Sequence, residues 1–113
     1  MTRFPICMVL ASLLTACGSG TPVAFHNTSA HRLDGVVLSG NGFEASLGVV
    51  APGQSLKAQV HPSGESGLAV RFTTNGRNYR YEPQDYFEGG GRYALSATVN
   101  HDLTVAVHSV TRL

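Results

Sequence analysis

Apolar and polar residues alternate through most of the chain after Pro22, and this alternation restricts what the chain can fold into. Leu68, Val70 and Phe72, for example, alternate with the polar pair Arg71 and Thr73. The same period of two recurs in the segments that begin at Val23, Phe43, Leu56, Tyr93 and Leu103. Successive side chains of a β-strand point to opposite faces, so these segments are predicted to be strands with one buried and one wet face. No segment shows the apolar stripe of an amphipathic helix.

Turn residues separate the alternating segments. Asn75-Gly76 favours a two-residue hairpin, because a type I′ turn needs positive φ at both central positions. Ala51-Pro52-Gly53-Gln54 suits a type II turn, in which Pro sets one φ angle and Gly supplies the positive one. The roughly 8–12-residue spacing of strands is typical of a sandwich or a barrel. We predict an all-β fold, a small antiparallel β-sandwich of about seven to eight strands.

Two segments depart from simple alternation. Val36, Val37 and Leu38 are apolar at successive positions, which predicts a strand covered on both faces. Pro83–Arg92 contains three adjacent glycines and is predicted to be a loop, with at most one helical turn, that crosses between the sheets.

The first residues have the pattern of a targeting segment. Arg3 precedes an apolar run from Phe4 to Leu14, which is shorter than the roughly 20 residues of a membrane-spanning helix. Such a run is typical of a secretory signal. It ends in Leu14-Thr15-Ala16-Cys17, a branched apolar residue, two small residues and a cysteine. This motif resembles the lipobox of bacterial lipoproteins, a resemblance that covers the first seventeen residues. An ordinary signal peptide that happens to contain a cysteine is the alternative.

The resemblance implies a division of the chain. Residues 1–16 are expected to be a lipoprotein signal peptide, cleaved between Ala16 and Cys17. Residues 17–21 would be a tether held to membrane lipid through diacylglycerol on the Cys17 sulfur, and residues 22–113 the β-sandwich domain. In this family an aspartate after the cysteine retains the protein in the inner membrane. Gly18 therefore implies an outer-membrane anchor facing the periplasm, if the organism is Gram-negative.

Composition argues against several classes of function. Loss of Arg3 with the leader would leave seven basic and seven acidic residues, so no excess charge attracts nucleic acid. The five histidines lack the spacing of a metal site, and we expect no metal and no cofactor. Gly64-Glu65-Ser66-Gly67 lacks the glycine offset of a serine nucleophile elbow. The domain is expected not to be an enzyme and to have no catalytic residues.

Aromatic and arginine residues concentrate in one half of the domain, and both types are enriched at protein interfaces. The candidate partner-binding residues are Tyr86 and Phe87, as anchors in the predicted loop, together with Arg80 and Arg92. In the alternative interpretation, Tyr79, Tyr81 and Tyr93 belong to the core and the arginines are their solvated neighbours.

The Asn27-Thr28-Ser29 segment and the Ala-Pro-Gly turn loosely resemble features of immunoglobulin-like and transthyretin-like sandwiches of bacterial envelope proteins. This resemblance implies an architecture, and such sandwiches have many unrelated functions. We expect a membrane-anchored, non-enzymatic interaction or structural module whose partner is another envelope protein. A tethered inhibitor or immunity protein against an envelope hydrolase is the alternative, and a metal-binding carrier is less favoured.

Overall fold

The computed structural model describes residues 20–112, which form eight β-strands. The strands are β1 (Thr21–Asn27), β2 (Leu33–Gly40), β3 (Phe43–Val50), β4 (Ser55–Val60), β5 (Ser66–Thr74), β6 (Arg77–Phe87), β7 (Tyr93–Val99) and β8 (Val105–Thr111). The first strand thus begins one residue before the predicted domain boundary. The predicted signal peptide, its cleavage site at Ala16 and the lipidation site at Cys17 lie outside the described residues. Residues 20–112 include no helix long and apolar enough to cross a membrane.

The strands form two four-stranded sheets that face each other. One sheet has the order β4-β1-β7-β8 and the other the order β3-β2-β5-β6. All described pairs are antiparallel except β1 and β7, which run parallel. The predicted all-β sandwich of seven to eight strands is confirmed, with one parallel pair in an otherwise antiparallel arrangement.

The core consists of the inward faces of both sheets. Alternation is regular in β1, β5 and β7, where every second residue is buried. The largest fully buried side chains are Phe25, Phe72, Phe87, Leu33, Leu38 and Leu68. The two faces interdigitate as in other aligned sandwiches, in which alternate residues of each strand fill a single shared core.

A bulge in β3 overturns part of the predicted alternation. Val49 was expected to point inward with Phe43 and Leu47, yet its side chain is 47% exposed and Val50 is buried instead. Gly48 has a φ of +71° at this point, and the register with β2 shifts beside it. A bulge adds one residue to the strand, so every side chain after it changes face.

The prediction that β2 is covered on both faces is wrong. Val36 and Leu38 are buried in the core, whereas Val37 lies half-buried on the outer face of the sheet. A two-layer sandwich covers only one face of each sheet, so an apolar residue on the other face stays partly exposed.

Both predicted turns are confirmed by their backbone angles. Asn75 and Gly76 have φ values of +52° and +73°, as a type I′ hairpin requires. In the turn between β3 and β4, Gly53 has a φ of +79° and the Gln54 amide donates to the Ala51 carbonyl at 3.0 Å. This is the geometry of a type II turn.

A buried asparagine connects the two sheets at the end of β1. The side chain of Asn27, which is 1% exposed, donates from Nδ2 to the carbonyls of His31 (2.7 Å), Val50 (3.2 Å) and Ala51 (3.2 Å). Its Oδ1 accepts bonds from the amide and the hydroxyl of Ser29, at 3.0 and 2.7 Å. One amide group therefore satisfies carbonyls in the loop before β2 and at the end of β3.

The backbone of Asn27 extends the same junction. Its amide donates to the Gln54 carbonyl at 3.0 Å, and its carbonyl accepts from the Gly53 amide at 2.7 Å. Beside it, the amide and hydroxyl of Thr28 both donate to the Val99 carbonyl, at 3.0 and 2.7 Å. The Asn27 junction therefore holds β1, the β3–β4 turn and β7 together.

Replacement of Asn27 by aspartate tests the junction. A carboxylate cannot donate to the carbonyls of His31, Val50 and Ala51, and it adds a buried charge. We expect Asn27→Asp to lower the free energy of unfolding by about 2–4 kcal/mol in urea titrations. The control is Asn78→Asp on the exposed face of β6, which should change it by less than about 0.5 kcal/mol. Equal losses in the two variants would contradict the role assigned to Asn27.

Candidate functional site

Phe87, predicted as an interface anchor, is instead a core residue. Its side chain is fully buried, and its ring lies 6.1 Å from that of Phe43 in an edge-to-face arrangement. The predicted loop at Pro83–Arg92 is also wrong in its first half, because β6 continues through Phe87. Irregular register between β5 and β6 places Gln84 opposite Leu68 and Phe87 opposite Ser66. The two shifts cancel, so Phe87 keeps the inward orientation that alternation from Tyr81 gives. The prediction failed because this segment was expected to be a loop.

The other predicted interface residues do not form one cluster. Tyr86 is 44% exposed, and its ring lies 6.1 Å from that of Tyr93. Arg92 is exposed just before β7, at the same end of the sandwich. Arg80 lies six positions before Tyr86 along β6, or about 20 Å at the rise of an extended strand. Tyr86 and Arg92 thus share one end of the domain, and Arg80 lies elsewhere.

The end that carries Tyr86 is also the end where the described chain begins. β1 starts at Thr21 and runs parallel to β7, which starts at Tyr93. The short connection from Phe87 to Tyr93 lies at this same end. Desolvation raises the pKa of the Tyr86 hydroxyl, and the nearby carboxylates of Glu65 and Glu88 raise it further. This surface therefore combines an exposed aromatic ring with acidic neighbours.

Side chains of β6 and the edge strand β8 seal one flank of the sandwich, where the two sheets meet. Four hydrogen bonds cross the gap: Tyr81 Oη to the Leu103 carbonyl (2.6 Å), Gln84 Nε2 to the Val105 carbonyl (3.2 Å), the Ser109 amide to Asp85 Oδ2 (2.8 Å) and Ser109 Oγ to the Tyr86 carbonyl (2.8 Å). Three of these bonds use backbone groups of β8 or of the turn before it. They occupy groups that an unprotected edge strand would offer to another chain.

The geometry of this flank explains two pKa shifts. The carboxylate of Asp85 accepts a bond from the Tyr86 amide at 2.9 Å, which is the largest cause of its lowered pKa. Desolvation acts in the opposite direction, and the bond from the Ser109 amide lowers the pKa further. Burial raises the pKa of the Tyr81 hydroxyl, which points at the Leu103 carbonyl. The pKa shifts of Asp85 and Tyr81 thus follow from hydrogen bonding and burial at this flank.

The lowered pKa of Asp85 predicts a pH-dependent contribution to stability. Because its folded-state pKa lies below the unfolded value, the carboxylate stabilises the fold above the unfolded pKa of about 3.9. This contribution is lost as the pH falls through the folded pKa. We expect the difference in unfolding free energy between wild type and Asp85→Asn to be constant above about pH 5 and to shrink below about pH 4. The lowered pKa of Asp102 is common to both proteins and cancels. A difference that stays constant down to pH 2 would contradict this role.

The outer face of the sheet β3-β2-β5-β6 carries an unusual pair of arginines. Arg71 of β5 and Arg80 of β6 are direct cross-strand partners. Like charges in directly opposed positions destabilise a sheet. Arg71 is compensated by Glu44 of β3, whose carboxylate lies 3.1 Å from its guanidinium. Within residues 20–112, Arg80 forms no salt bridge.

Two shallow depressions adjoin this arginine pair, and both arginines line each of them. The smaller, of about 150 Å³, also includes Glu82 and Ser39. The larger, of about 290 Å³, also includes Gly35, Thr73 and Asn78. No acidic side chain lines the larger depression, which we name the Arg71–Arg80 groove. Guanidinium groups bind carboxylates and other planar oxyanions through paired hydrogen bonds, so the groove can hold an anionic group.

Sequence reasoning found only part of this groove. Arg80 is among the predicted partner-binding residues, whereas Arg71 is predicted only as a polar-face residue of its strand. Thr73 and Asn78 carried no signal of their own, although both lie on the polar face of an alternating segment. Their proximity depends on the register that pairs Thr73 with Asn78 and Arg71 with Arg80. The tight Asn75-Gly76 hairpin sets this register, so it was the signal that linked the four residues.

The described histidines are distributed over several parts of the domain. His26 and His108 lie on the outer face of the sheet β4-β1-β7-β8, and His26 Nδ1 is 2.7 Å from Ser55 Oγ. His31 and His101 lie in connections between strands, and His61 is exposed just after β4. Nowhere in residues 20–112 do three or more His, Cys, Asp or Glu side chains gather closely enough to hold a metal ion.

Comparisons with known proteins bear on the fold. No protein-family model matches the chain, and no curated protein is significantly similar to it. Among solved structures, the chain is similar to the NMR structure of a protein from Eubacterium rectale, with a TM-score of 0.53 and 14% sequence identity. The match covers 80% of this chain and 87% of the other. At this level of identity, the similarity concerns the arrangement of strands alone.

Proposed function

We propose that the chain is a lipid-anchored lipoprotein of the bacterial envelope whose sandwich is a non-enzymatic module that docks another envelope protein. The docking surface is the outer face of the sheet β3-β2-β5-β6. The observation that carries this assignment is the uncompensated Arg80, opposite Arg71, beside a groove without acidic side chains. An arrangement that costs stability within the fold is better explained by a partner that supplies the opposite charge.

The proposed anchor leaves this face accessible. Four residue steps separate Cys17 from Thr21, so the lipid lies within about 14 Å of the first strand. The end of the domain with Tyr86 and Arg92 would then face the bilayer. Arg71 lies five positions along β5 from Ser66, or about 17 Å from that end. A protein standing on the same membrane can therefore approach the side of the sandwich.

The alternative functions have less support. A tethered inhibitor needs a protruding loop. In the predicted loop at Pro83–Arg92, however, Tyr86 and Phe87 belong to strand β6, and Phe87 is buried in the core. What remains is the short connection between Phe87 and Tyr93. A metal carrier needs convergent ligands, whereas the described histidines are distributed over both ends and one outer face.

Labelling with radioactive palmitate tests the anchor. We expect the wild-type chain to incorporate label and to be processed, because the lipid is attached to the sulfur of Cys17. Cys17→Ala should abolish the label and leave the precursor uncut. The matched control is Cys7→Ala, which should be labelled like the wild type. A labelled Cys17→Ala protein, or an unlabelled wild type, would contradict lipidation.

Photo-crosslinking in living cells tests the docking surface. A photoreactive amino acid in place of Val37, which lies beside Arg71 on the proposed face, should give a discrete crosslinked product with an envelope protein. The control is the same amino acid in place of Ser96, on the outer face of the other sheet. The same product from both positions, or a product from Ser96 alone, would assign docking to another surface.

A further inference from the structure

We propose that the Arg71–Arg80 groove binds an acidic segment of a protein partner, through aspartate or glutamate carboxylates held by the two guanidinium groups. This inference rests on the proposed function, because it names the chemistry of the partner that docks on this face. It adds that the partner is recognised at the groove itself.

The charges around the groove support an anionic occupant. Each carboxylate on this face other than Glu82 already has a cation: Glu44 lies 3.1 Å from Arg71, and Asp34 lies 3.0 Å from Arg32. Glu82 lines the smaller depression and not the groove. Arg80 therefore remains without a counter-charge within residues 20–112, and an incoming carboxylate would supply it.

The geometry of the groove suits a carboxylate side chain. Directly paired residues of an antiparallel sheet have their Cβ atoms about 4.5–5.5 Å apart, so the two guanidinium groups reach one ligand together. Asn78 is exposed and lines the groove, so its side-chain amide offers a further donor. Gly35 has no heavy atom within 4 Å of where a Cβ would stand, so the mouth of the groove is open at that point.

An extended segment fits this surface better than a single ion. From the arginine pair, the groove extends along β5 and β6 toward Thr73 and Asn78, away from Glu82, which lines only the smaller depression. Alternate side chains of an extended peptide point the same way about 7 Å apart. A segment with acidic residues at alternate positions therefore presents successive carboxylates to the arginine pair.

Peptide binding tests the proposal on the protein that is expressed from the whole chain and purified from membranes in detergent. The probe is a fluorescent peptide of alternating Glu and Ser, followed by anisotropy at low salt. We expect saturable binding that weakens with added salt, and at least about tenfold weaker binding of the same peptide with Gln in place of Glu. Arg80→Gln and Arg71→Gln should each weaken binding about tenfold or more. Arg77→Gln is the matched control on the same strand and should change it less than about twofold.

Thermal unfolding separates recognition from a structural role. Removal of one of two opposed arginines relieves repulsion, so Arg80→Gln should leave the Tm unchanged or raise it slightly. A clear fall in Tm would overturn the proposal by making Arg80 a structural residue. Equal losses of binding in Arg77→Gln and Arg80→Gln would also overturn it, because attraction would then be non-specific.

Three further outcomes identify which inference fails. Binding of inorganic phosphate or of phosphatidylglycerol vesicles that depends on Arg80, without binding of the acidic peptide, would replace the acidic segment by another anion. Absence of peptide binding together with crosslinks at Val37 would refute the acidic partner and leave the docking function standing. Peptide binding without crosslinks at Val37 would refute the docking function alone.

Discussion

The side-chain amide of Asn27 is the interaction on which the rest of the sandwich depends. It donates to three carbonyls and accepts two bonds from Ser29, in a position closed to water. Those carbonyls belong to the loop that leads into one sheet and to the turn that leads out of it. Without an internal disulfide in the described chain, such a buried polar junction is what orients one sheet on the other, since burial of apolar area has no direction of its own.

The two flanks of the sandwich differ in how far their edge strands are covered. Between β6 and β8, side chains of Tyr81, Gln84 and Asp85 bond to backbone groups that the edge of one sheet would otherwise leave free. Opposite them, the inward residues of β3 and β4, among them Leu47 and Leu56, are only half-buried. The sealed flank accounts for Tyr81, and Tyr79 stacks on the buried Phe72. Arg77, Arg80 and Arg92 of the same half form no salt bridge within residues 20–112.

The Arg71–Arg80 groove lies beside two opposed like charges, an arrangement that destabilises the sheet. A carboxylate at either position would form a cross-strand ion pair, and the chain has arginine at both. The opposite outer face, with Ala24, Ser96 and Ala106, carries few charges. The two opposed arginines lie instead on the outer face of the sheet β3-β2-β5-β6. In the proposed docking, the partner is recognised because its charge is complementary to that of this face.

Alternation and turn chemistry in the sequence alone determined the all-β class, the hairpin at Asn75-Gly76 and the inward faces of β1, β5 and β7, because these depend on residues adjacent in the chain. The Cys17 motif is likewise a local pattern. Tertiary structure alone decided that Val49 faces out, that β6 continues through Phe87 and that β1 pairs in parallel with β7. Each of these depends on a bulge or on pairing between strands distant in sequence. The pairing of Arg71 with Arg80 follows from the local Asn75-Gly76 hairpin, whereas no spacing along the chain encodes the empty volume beside the two arginines.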